Sequence, residues 1–174
     1  MNSRMNERKH DHLRILADDP ACDRDKSYFN EIRLKHRALP GINMDEVDTS
    51  TEFMGKTLSF PLLISCMTGG VGDELIYINR NLAIAAEATG VAMGMGSQRV
   101  MLVDPAAVSS FMLRKYAPDV LLFGNLGAVQ LNCGVTAEDC CKLVETTGVD
   151  ALCLHLNPLQ EAIQMQTEIG RAHV

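Results

Sequence analysis

DVLLFGN, from Asp119 to Asn125, is a short apolar stretch that ends in glycine and asparagine. Similar stretches lie on both sides of it: FPLLISC (Phe60 to Cys66), GVAMGM (Gly90 to Met95) and DALCLHL (Asp150 to Leu156). Each is too short for a helix and is flanked by glycine, proline or aspartate, which is typical of buried parallel strands. Their starts are about thirty residues apart, enough for one strand, one helix and the connecting loops. The pattern therefore predicts four parallel strands joined by helices.

Helix end signals occupy the segments between these strands. The expected end residues are Asp73 and Gly90 for the first helix, Asp104 as cap with Pro105 as first residue for the second, and Thr136 and Gly148 for the third. These are residue types that helix ends favour. The order βαβαβαβ predicts an α/β fold, either a doubly wound open sheet or part of a (β/α)8 TIM barrel. A complete barrel has eight units and at least about 200 residues, so four units correspond to a half barrel.

The chain divides into three parts. Residues 1–58 are polar and irregular, and we expect them to form an N-terminal arm and lead-in. Residues 59–167 are expected to form the first half of the barrel. Residues 168–174 read EIGRAHV, which one frame of a common sequencing adapter encodes, and we expect this tail not to belong to the native protein.

The composition argues against two classes of partner. The formal net charge is -6, whereas nucleic-acid and anionic-membrane binders need a cationic field. No apolar run approaches the roughly 18 residues of a membrane span, and the N-terminus lacks the apolar core of an export signal. The six cysteines show no CxxC pair or metal-ligand spacing, which indicates reduced thiols. We therefore expect a cytoplasmic protein that binds neither nucleic acid nor membranes.

Polar residues and glycines follow each predicted strand. The four clusters are MTGG (Met67 to Gly70), GSQR (Gly96 to Arg99), GNLG (Gly124 to Gly127) and HLNPLQE (His155 to Glu161). In parallel α/β folds the carboxyl ends of the strands meet on one surface. That surface is the candidate active site, although any single cluster would also suit an ordinary turn.

Several residues in these clusters, and a charged stretch near the N-terminus, each allow more than one structural or functional role. MTGG can let a ligand approach the main chain. GMGSQR begins like a dinucleotide-binding motif, but Arg99 stands where the next helix should pack closely, and its guanidinium can instead bind a phosphate. Glu161 either stabilises a helix N-terminus or holds Mg²⁺. His155 is either structural or faces the site. RKHDH, from Arg8 to His12, is either a solvated charged stretch or an arm that supplies cations.

Together these motifs resemble the flavin-dependent type 2 isopentenyl-diphosphate isomerases. The similarity runs from Arg8, Lys9 and His12 through FPLLISCMTGG, GMGSQR and LLFGNLGAVQL to LHLNPLQEAIQ. It implies a (β/α)8 barrel that binds FMN and Mg²⁺, takes NADPH as the reductant of the flavin, and forms a homo-oligomer. The implied reaction interconverts isopentenyl and dimethylallyl diphosphate in isoprenoid biosynthesis.

The resemblance also implies residue roles. FMN would be bound by Met67, Thr68, Gly69, Ser97 and Asn125. The substrate, chiefly its diphosphate, would be bound by Arg8, Lys9, His12, Ser97, Gln98, Arg99, His155, Asn157 and Gln160. Glu161 would hold Mg²⁺, and His155 and Gln160 would be catalytic.

The length departs from the family, whose chains are about twice as long and include four further strand-helix units with flavin contacts. We therefore expect this chain alone to bind FMN weakly and to be inactive. Two other functions stay open: another FMN-dependent TIM-barrel oxidoreductase, such as a 2-hydroxyacid oxidase, and a non-catalytic half barrel that binds a phosphorylated ligand.

Overall fold

The computed structural model describes residues 14–15, 17–18 and 28–157. Residues 14–15 and 17–18 are helical. The other elements, in chain order, are the 3-10 helices Tyr28–Glu31 and Met44–Glu46, β1 (Thr51–Phe53), β2 (Lys56–Leu58), β3 (Leu63–Ile64), α1 (Asp73–Thr89), β4 (Ala92–Gly94), the 3-10 helices Gln98–Leu102 and Pro105–Phe111, β5 (Leu122–Gly127), α2 (Val129–Asn132), α3 (Ala137–Thr147) and β6 (Ala151–His155). No helix in this part of the chain is long and apolar enough to cross a membrane.

The four stretches predicted as parallel strands pair in parallel. The sheet order is β3, β4, β5, β6, so strands that are neighbours in space are also neighbours in sequence. The longest register joins β5 to β6, from Phe123 opposite Ala151 to Gly127 opposite His155. The predicted α/β fold with a parallel sheet is confirmed. Among the described residues β3 and β6 do not pair with each other, so the sheet is open and no closed barrel is present.

Two predicted helices begin and end where expected. α1 is closed by Gly90 in the left-handed conformation, with φ of 66°. α3 begins at a capping box: the Thr136 hydroxyl accepts from Asp139 N at 3.2 Å, and the Asp139 carboxylate accepts from Thr136 N at 3.0 Å. Gly148 closes α3 with φ of 64°. These residues satisfy main-chain groups that a helix leaves without intrahelical partners.

The helix predicted after Asp104 is wrong in type and length. The Asp104 carboxylate does cap the segment, accepting from Ala106 N at 2.9 Å, but the chain forms a 3-10 helix that ends at Phe111. Ser109 and Ser110 donate their hydroxyl hydrogens to the carbonyls three residues earlier, at 3.2 and 2.9 Å. Such local hydrogen bonds compete with the α-helical pattern and favour the tighter helix.

The start of the sheet also differs from the prediction. FPLLISC forms a strand only at Leu63–Ile64. Pro61 has no N–H to donate to a ladder, so the strand does not begin at that residue. The preceding segment, predicted to be irregular, contains the antiparallel hairpin of β1 and β2. Met54 and Gly55 at its turn have φ of 49° and 78°, as in the type I′ turns that match the twist of hairpin strands. Methionine is uncommon in this conformation, so the sequence carried a weak turn signal.

The sheet carries an apolar layer on each face, since successive strand residues point in opposite directions. On one face, α1 and the 3-10 helix Pro105–Phe111 cover Met93 and Leu122, which are fully buried. On the other face, Phe123 packs with Leu58 of the hairpin, and the rings of Phe53 and Phe123 lie 6.3 Å apart. The hairpin therefore covers the second face near the start of β5.

A charge network ties together the ends at which β5 and β6 begin. Asp150 accepts hydrogen bonds from Arg114 Nη2 at 2.7 Å and Leu122 N at 2.8 Å, and its other oxygen lies 3.1 Å from Lys56 Nζ. The Arg114 guanidinium also donates to the main-chain carbonyls of Ala117, Pro118, Val120 and Gly148, at 2.9 to 3.2 Å. Burial alone would raise the pKa of Asp150, but the hydrogen bonds from Leu122, Arg114 and Lys56 outweigh it and lower that pKa.

Candidate functional site

The loop after β3, Met67 to Gly70, is held from beneath by buried polar side chains. Asn79, fully buried on α1, donates from Nδ2 to the carbonyls of Ser110 at 2.9 Å and Thr68 at 3.4 Å, and its Oδ1 accepts from the Thr68 hydroxyl. The Ser110 hydroxyl accepts from Gly70 N at 3.1 Å. The Thr68 hydroxyl and carbonyl and the Gly70 N–H are thus all bonded within the protein, so the conformation of this loop is fixed from the interior.

Gly69 lies directly against the ring of Phe111. Its φ is 154°, and a Cβ at this position would overlap the ring. Glycine at this position therefore lets the loop pack onto the buried ring of Phe111. The FMN contacts that the resemblance implies for Met67, Thr68 and Gly69 stay a prediction.

The loop after β4 packs onto the loop after β3. Gly96 N donates to Thr68 O at 2.7 Å. A Cβ on Gly96 would lie 2.6 Å from Met67 O and closer still to Thr68 O. The half-buried Ser97 precedes the 3-10 helix Gln98–Leu102, which contains the half-buried Arg99. This short helix stands where a dinucleotide-binding motif would have a long one. The absence of a side chain at Gly96 therefore allows the loops after β3 and β4 to pack closely together.

Gln98 points into the interior from this second loop. Its side chain is fully buried, and its Oε1 accepts from Asn125 N at 3.2 Å. Its Nε2 donates to the hydroxyl of Thr147, the last residue of α3, at 3.2 Å. Both ends of this amide are thus used within the protein, which is what a buried polar side chain requires.

Asn125 and His155, which the resemblance assigns to different ligands, contact each other. The distance between His155 Nδ1 and Asn125 Oδ1 is 2.8 Å. An amide oxygen can only accept, so Nδ1 of the imidazole carries the hydrogen. The contact joins the carboxyl-terminal halves of β5 and β6, and it brings a residue implied for FMN next to one implied for the substrate.

The Cys66 thiol is a third partner of this region. Burial raises its pKa, the nearby Cys153 thiol raises it further, and a hydrogen bond with the Asn125 side chain opposes the increase. A hydrogen bond that favours the thiolate is donated to the sulfur, and the donor in an asparagine side chain is its amide nitrogen.

We predict that Cys66 reacts more slowly with a thiol reagent than the exposed Cys133 and Cys141. The thiolate is the reactive form, and a raised pKa lowers its fraction at a given pH. Alkylation of the folded chain at about pH 8, near the ordinary cysteine pKa, followed by peptide mass spectrometry, measures each rate. Equal rates for Cys66 and Cys141 in the folded chain would contradict the prediction, and equal rates in urea provide the control.

The described site residues all lie at the carboxyl end of the sheet. They stand in the carboxyl-terminal half of a strand or just after it: Met67, Thr68, Gly69, Ser97, Gln98, Arg99, Asn125, His155 and Asn157. The other predicted site residues lie outside the described part of the chain, so their roles stay predictions: Arg8, Lys9, His12, Gln160 and Glu161. Within residues 28–157 and the described helical residues before them, no group of three or more His, Cys, Asp or Glu side chains could hold a metal ion.

The sequence pattern did not single out Asn79 or Ser110. A signal for Asn79 was nevertheless present, because it falls on the buried stripe of α1 with Leu75, Ala83 and Ala86. An amide on an apolar helix stripe must find hydrogen-bond partners in the interior. Ser110 gave no comparable signal, since its contact with Gly70 depends on tertiary packing.

The family model described as FMN-dependent dehydrogenase matches residues 1–119. The chain belongs to this FMN-dependent dehydrogenase family. The chain is also similar to several individual proteins. It is 57% identical over 157 residues, 90% of this chain and 45% of the relative, to the isopentenyl-diphosphate delta-isomerase of Paracoccus zeaxanthinifaciens.

Two other relatives carry the same name. The isopentenyl-diphosphate delta-isomerase of Hydrogenovibrio crunogenus (strain DSM 25203 / XCL-2) is 49% identical over 171 residues, 98% of this chain and 50% of the relative. That of Rickettsia canadensis (strain McKiel) is 49% identical over 158 residues, 91% of this chain and 46% of the relative. This family member spans about half the length of the curated relatives it matches, and it corresponds to their N-terminal half. The resemblance inferred from the motifs is confirmed.

Proposed function

We propose that this chain forms the N-terminal half of a flavin-dependent isomerase that interconverts isopentenyl and dimethylallyl diphosphate. The observation that carries the proposal is that the segments after β3, β4 and β5 and the end of β6 share the carboxyl end of one parallel sheet, in a chain 57% identical to a relative named isopentenyl-diphosphate delta-isomerase. We further propose a (β/α)8 barrel for the whole protein. The strand order supports this, because it follows the chain without the reversal that marks a doubly wound sheet.

The proposed FMN contacts are main-chain groups of Met67 to Gly69 together with the side chains of Ser97 and Asn125. When bound, the reduced flavin would supply the acid and base that move a proton across the allylic system. NADPH is the proposed reductant. The buried support of the loops after β3 and β4 would hold these contacts in place before the cofactor binds, which lowers the ordering cost of binding.

The proposed substrate contacts come from side chains that suit a diphosphate. Arg99 can offer two parallel N–H donors to phosphate oxygens. His155, with Nδ1 held by Asn125, would exchange protons at Nε2. The assignments of Arg8, Lys9, His12, Ser97, Asn157 and Gln160 to the substrate, of Gln160 to catalysis as well, and of Glu161 to Mg²⁺ rest on the motif resemblance alone. Gln98 is left out of this proposal, because its buried amide is bonded at both ends within the protein. A cytoplasmic homo-oligomer is likewise part of the proposal.

A second candidate is a flavin oxidoreductase of the 2-hydroxyacid oxidase type, which the description of the matching family favours. Such an enzyme would transfer a hydride from a carboxylic acid substrate and would need no Mg²⁺. The full-length protein, extended from its genomic locus to the length of its relatives, separates the two candidates. Isomer formation from isopentenyl diphosphate that requires reduced FMN and Mg²⁺ supports the isomerase. Oxidation of 2-hydroxy acids without such isomerisation would overturn it.

The 174-residue chain alone is expected to lose FMN during gel filtration and to show no isomerase activity. The physical reason is that the relatives are about twice as long, so the proposed barrel would present only half of its ligand-binding loops. The measurement is the flavin absorbance that elutes with the protein. Stoichiometric retention of FMN would contradict this prediction, and the full-length protein serves as the positive control.

A further inference from the structure

Where β4 ends, the side chain of Gln98 takes the place of a main-chain hydrogen-bond acceptor for β5. Successive ladder hydrogen bonds run from Met93 N to Leu121 O and from Met95 N to Phe123 O, both at 2.9 Å. The next N–H of β5 on this side belongs to Asn125, and it donates to Gln98 Oε1 at 3.2 Å. The glutamine side chain thus continues the main-chain ladder by one step.

The surroundings of Gln98 fit this arrangement closely. A Cβ on Gly124 would overlap Gln98 Oε1, so only glycine leaves room for the amide beside β5. At the other end, the Thr147 hydroxyl accepts from Gln98 Nε2 and donates to Leu143 O at 2.6 Å. The amide therefore has a fixed orientation, with the nitrogen towards α3 and the oxygen towards β5.

The hydrogen bond from Asn125 N to Gln98 holds the main chain from which the Asn125 side chain extends. Its Oδ1 is 2.8 Å from His155 Nδ1 on the neighbouring strand. As long as Oδ1 accepts from Nδ1, the neutral imidazole carries its hydrogen on Nδ1 and its lone pair on Nε2. Uptake of a proton then takes place at Nε2, without a change of tautomer or ring orientation.

We propose that Gln98 is a positioning residue that fixes Asn125 and, through it, the Nδ1–H tautomer of His155. The functional importance of this role rests on the proposed isomerase, in which His155 binds the diphosphate. It differs from the direct substrate contact that the resemblance implies for Gln98. Hydrogen bonds would then connect the buried Gln98 through Asn125 to His155 at the site.

The test is the tautomer of His155, measured by ¹⁵N NMR of the purified chain labelled at histidine. The pH should be about 8, well above the ordinary histidine pKa of about 6.5. His155→Gln identifies the signals. In the unchanged chain we expect Nδ1 of His155 at the shift of a protonated nitrogen and Nε2 at that of an unprotonated one. Asn125→Ala, which removes the acceptor directly, is expected to move both signals towards the opposite tautomer.

Gln98→Met keeps the length of the side chain and removes both hydrogen bonds of the amide. We expect it to move the His155 signals in the same direction as Asn125→Ala. Asn79→Leu is the matched control, because it also removes a fully buried amide, but one that contacts Thr68 and Ser110 and not β5. It should leave the His155 tautomer unchanged even though it destabilises the fold.

Thr147→Val provides a second route if Gln98→Met does not fold. It removes the acceptor that orients the Gln98 amide and changes little volume, and it should give a smaller shift in the same direction. Unchanged His155 signals in a folded Gln98→Met or Thr147→Val chain would overturn the positioning role. A full-length protein without isomerase activity would instead overturn the proposed function and leave this NMR result intact.

Discussion

Gly96→Ala is expected to lower the free energy of unfolding by about 3 kcal/mol or more, a large fraction of the 5–15 kcal/mol typical of a domain. The added methyl group would lie 2.6 Å from Met67 O and closer still to Thr68 O. Both are main-chain atoms, and Thr68 is buried. Asn79 and Ser110 hold the main chain of Thr68 and Gly70, so these carbonyls cannot move aside as a flexible side chain would. Urea unfolding followed by circular dichroism measures the loss.

Gly134→Ala is the control for this variant. Nothing lies within 4 Å of a Cβ at Gly134, although its φ of 94° strains an alanine. The control should therefore cost about 1 kcal/mol, the backbone penalty alone. Equal losses in the two variants would show that the loops after β3 and β4 can separate at little cost, and that they are not a rigid support for a ligand.

Arg114→Met is expected to lower the free energy of unfolding by about 3 kcal/mol. The guanidinium holds Asp150 and four main-chain carbonyls at the end of the sheet opposite the site. Methionine keeps the apolar stem, but it leaves all of these acceptors without this donor, including the partly buried carbonyls of Ala117 and Val120. Urea unfolding at neutral pH measures the effect, and Lys142→Met, which removes an exposed cation from α3, should change stability by less than about 0.5 kcal/mol. A similar small effect for Arg114→Met would contradict the assignment of this network as a structural centre.

The same network predicts a dependence on acid. The pKa of Asp150 is lowered in the folded chain, so its contribution to stability is fully present above the unfolded pKa of about 3.9 and disappears as pH falls through the lower folded value. Arg114→Met raises the pKa of Asp150 towards its ordinary range. The stability difference between the unchanged chain and Arg114→Met should therefore shrink as the pH falls below about 4. A difference that stays constant down to pH 2 would exclude this linkage.

The parts of the fold that could be predicted from the sequence are those determined by residues close together in the chain. Gly90 and Gly148 close helices in a conformation that glycine adopts without strain, and Thr136 with Asp139 forms a capping box within four residues. The apolar stretches revealed the parallel strands because both faces of the sheet are covered. The hairpin was missed because Met54 occupies a left-handed turn position without the usual asparagine.

The candidate site was predictable as a set of positions but not as a set of contacts. The clusters after the strands indicated which residues share the carboxyl end of the sheet. The pairing of Asn125 with His155, the burial of Gln98 and the support of Thr68 by Asn79 each join residues at least eleven positions apart. Such contacts depend on strand register and helix packing, and composition or spacing in one chain does not determine either.

The supports of the site have a consequence for the time course of biosynthesis. The loop Met67 to Gly70 needs Ser110, which the ribosome adds forty residues after Gly70, and Asn125 needs Gln98, whose own partner Thr147 comes forty-nine residues after it. In both cases the support is completed by a residue that is synthesised later. A nascent chain that emerges from its N-terminus at 5–20 residues per second would hold each loop unfinished for several seconds, during which chaperones have access to it.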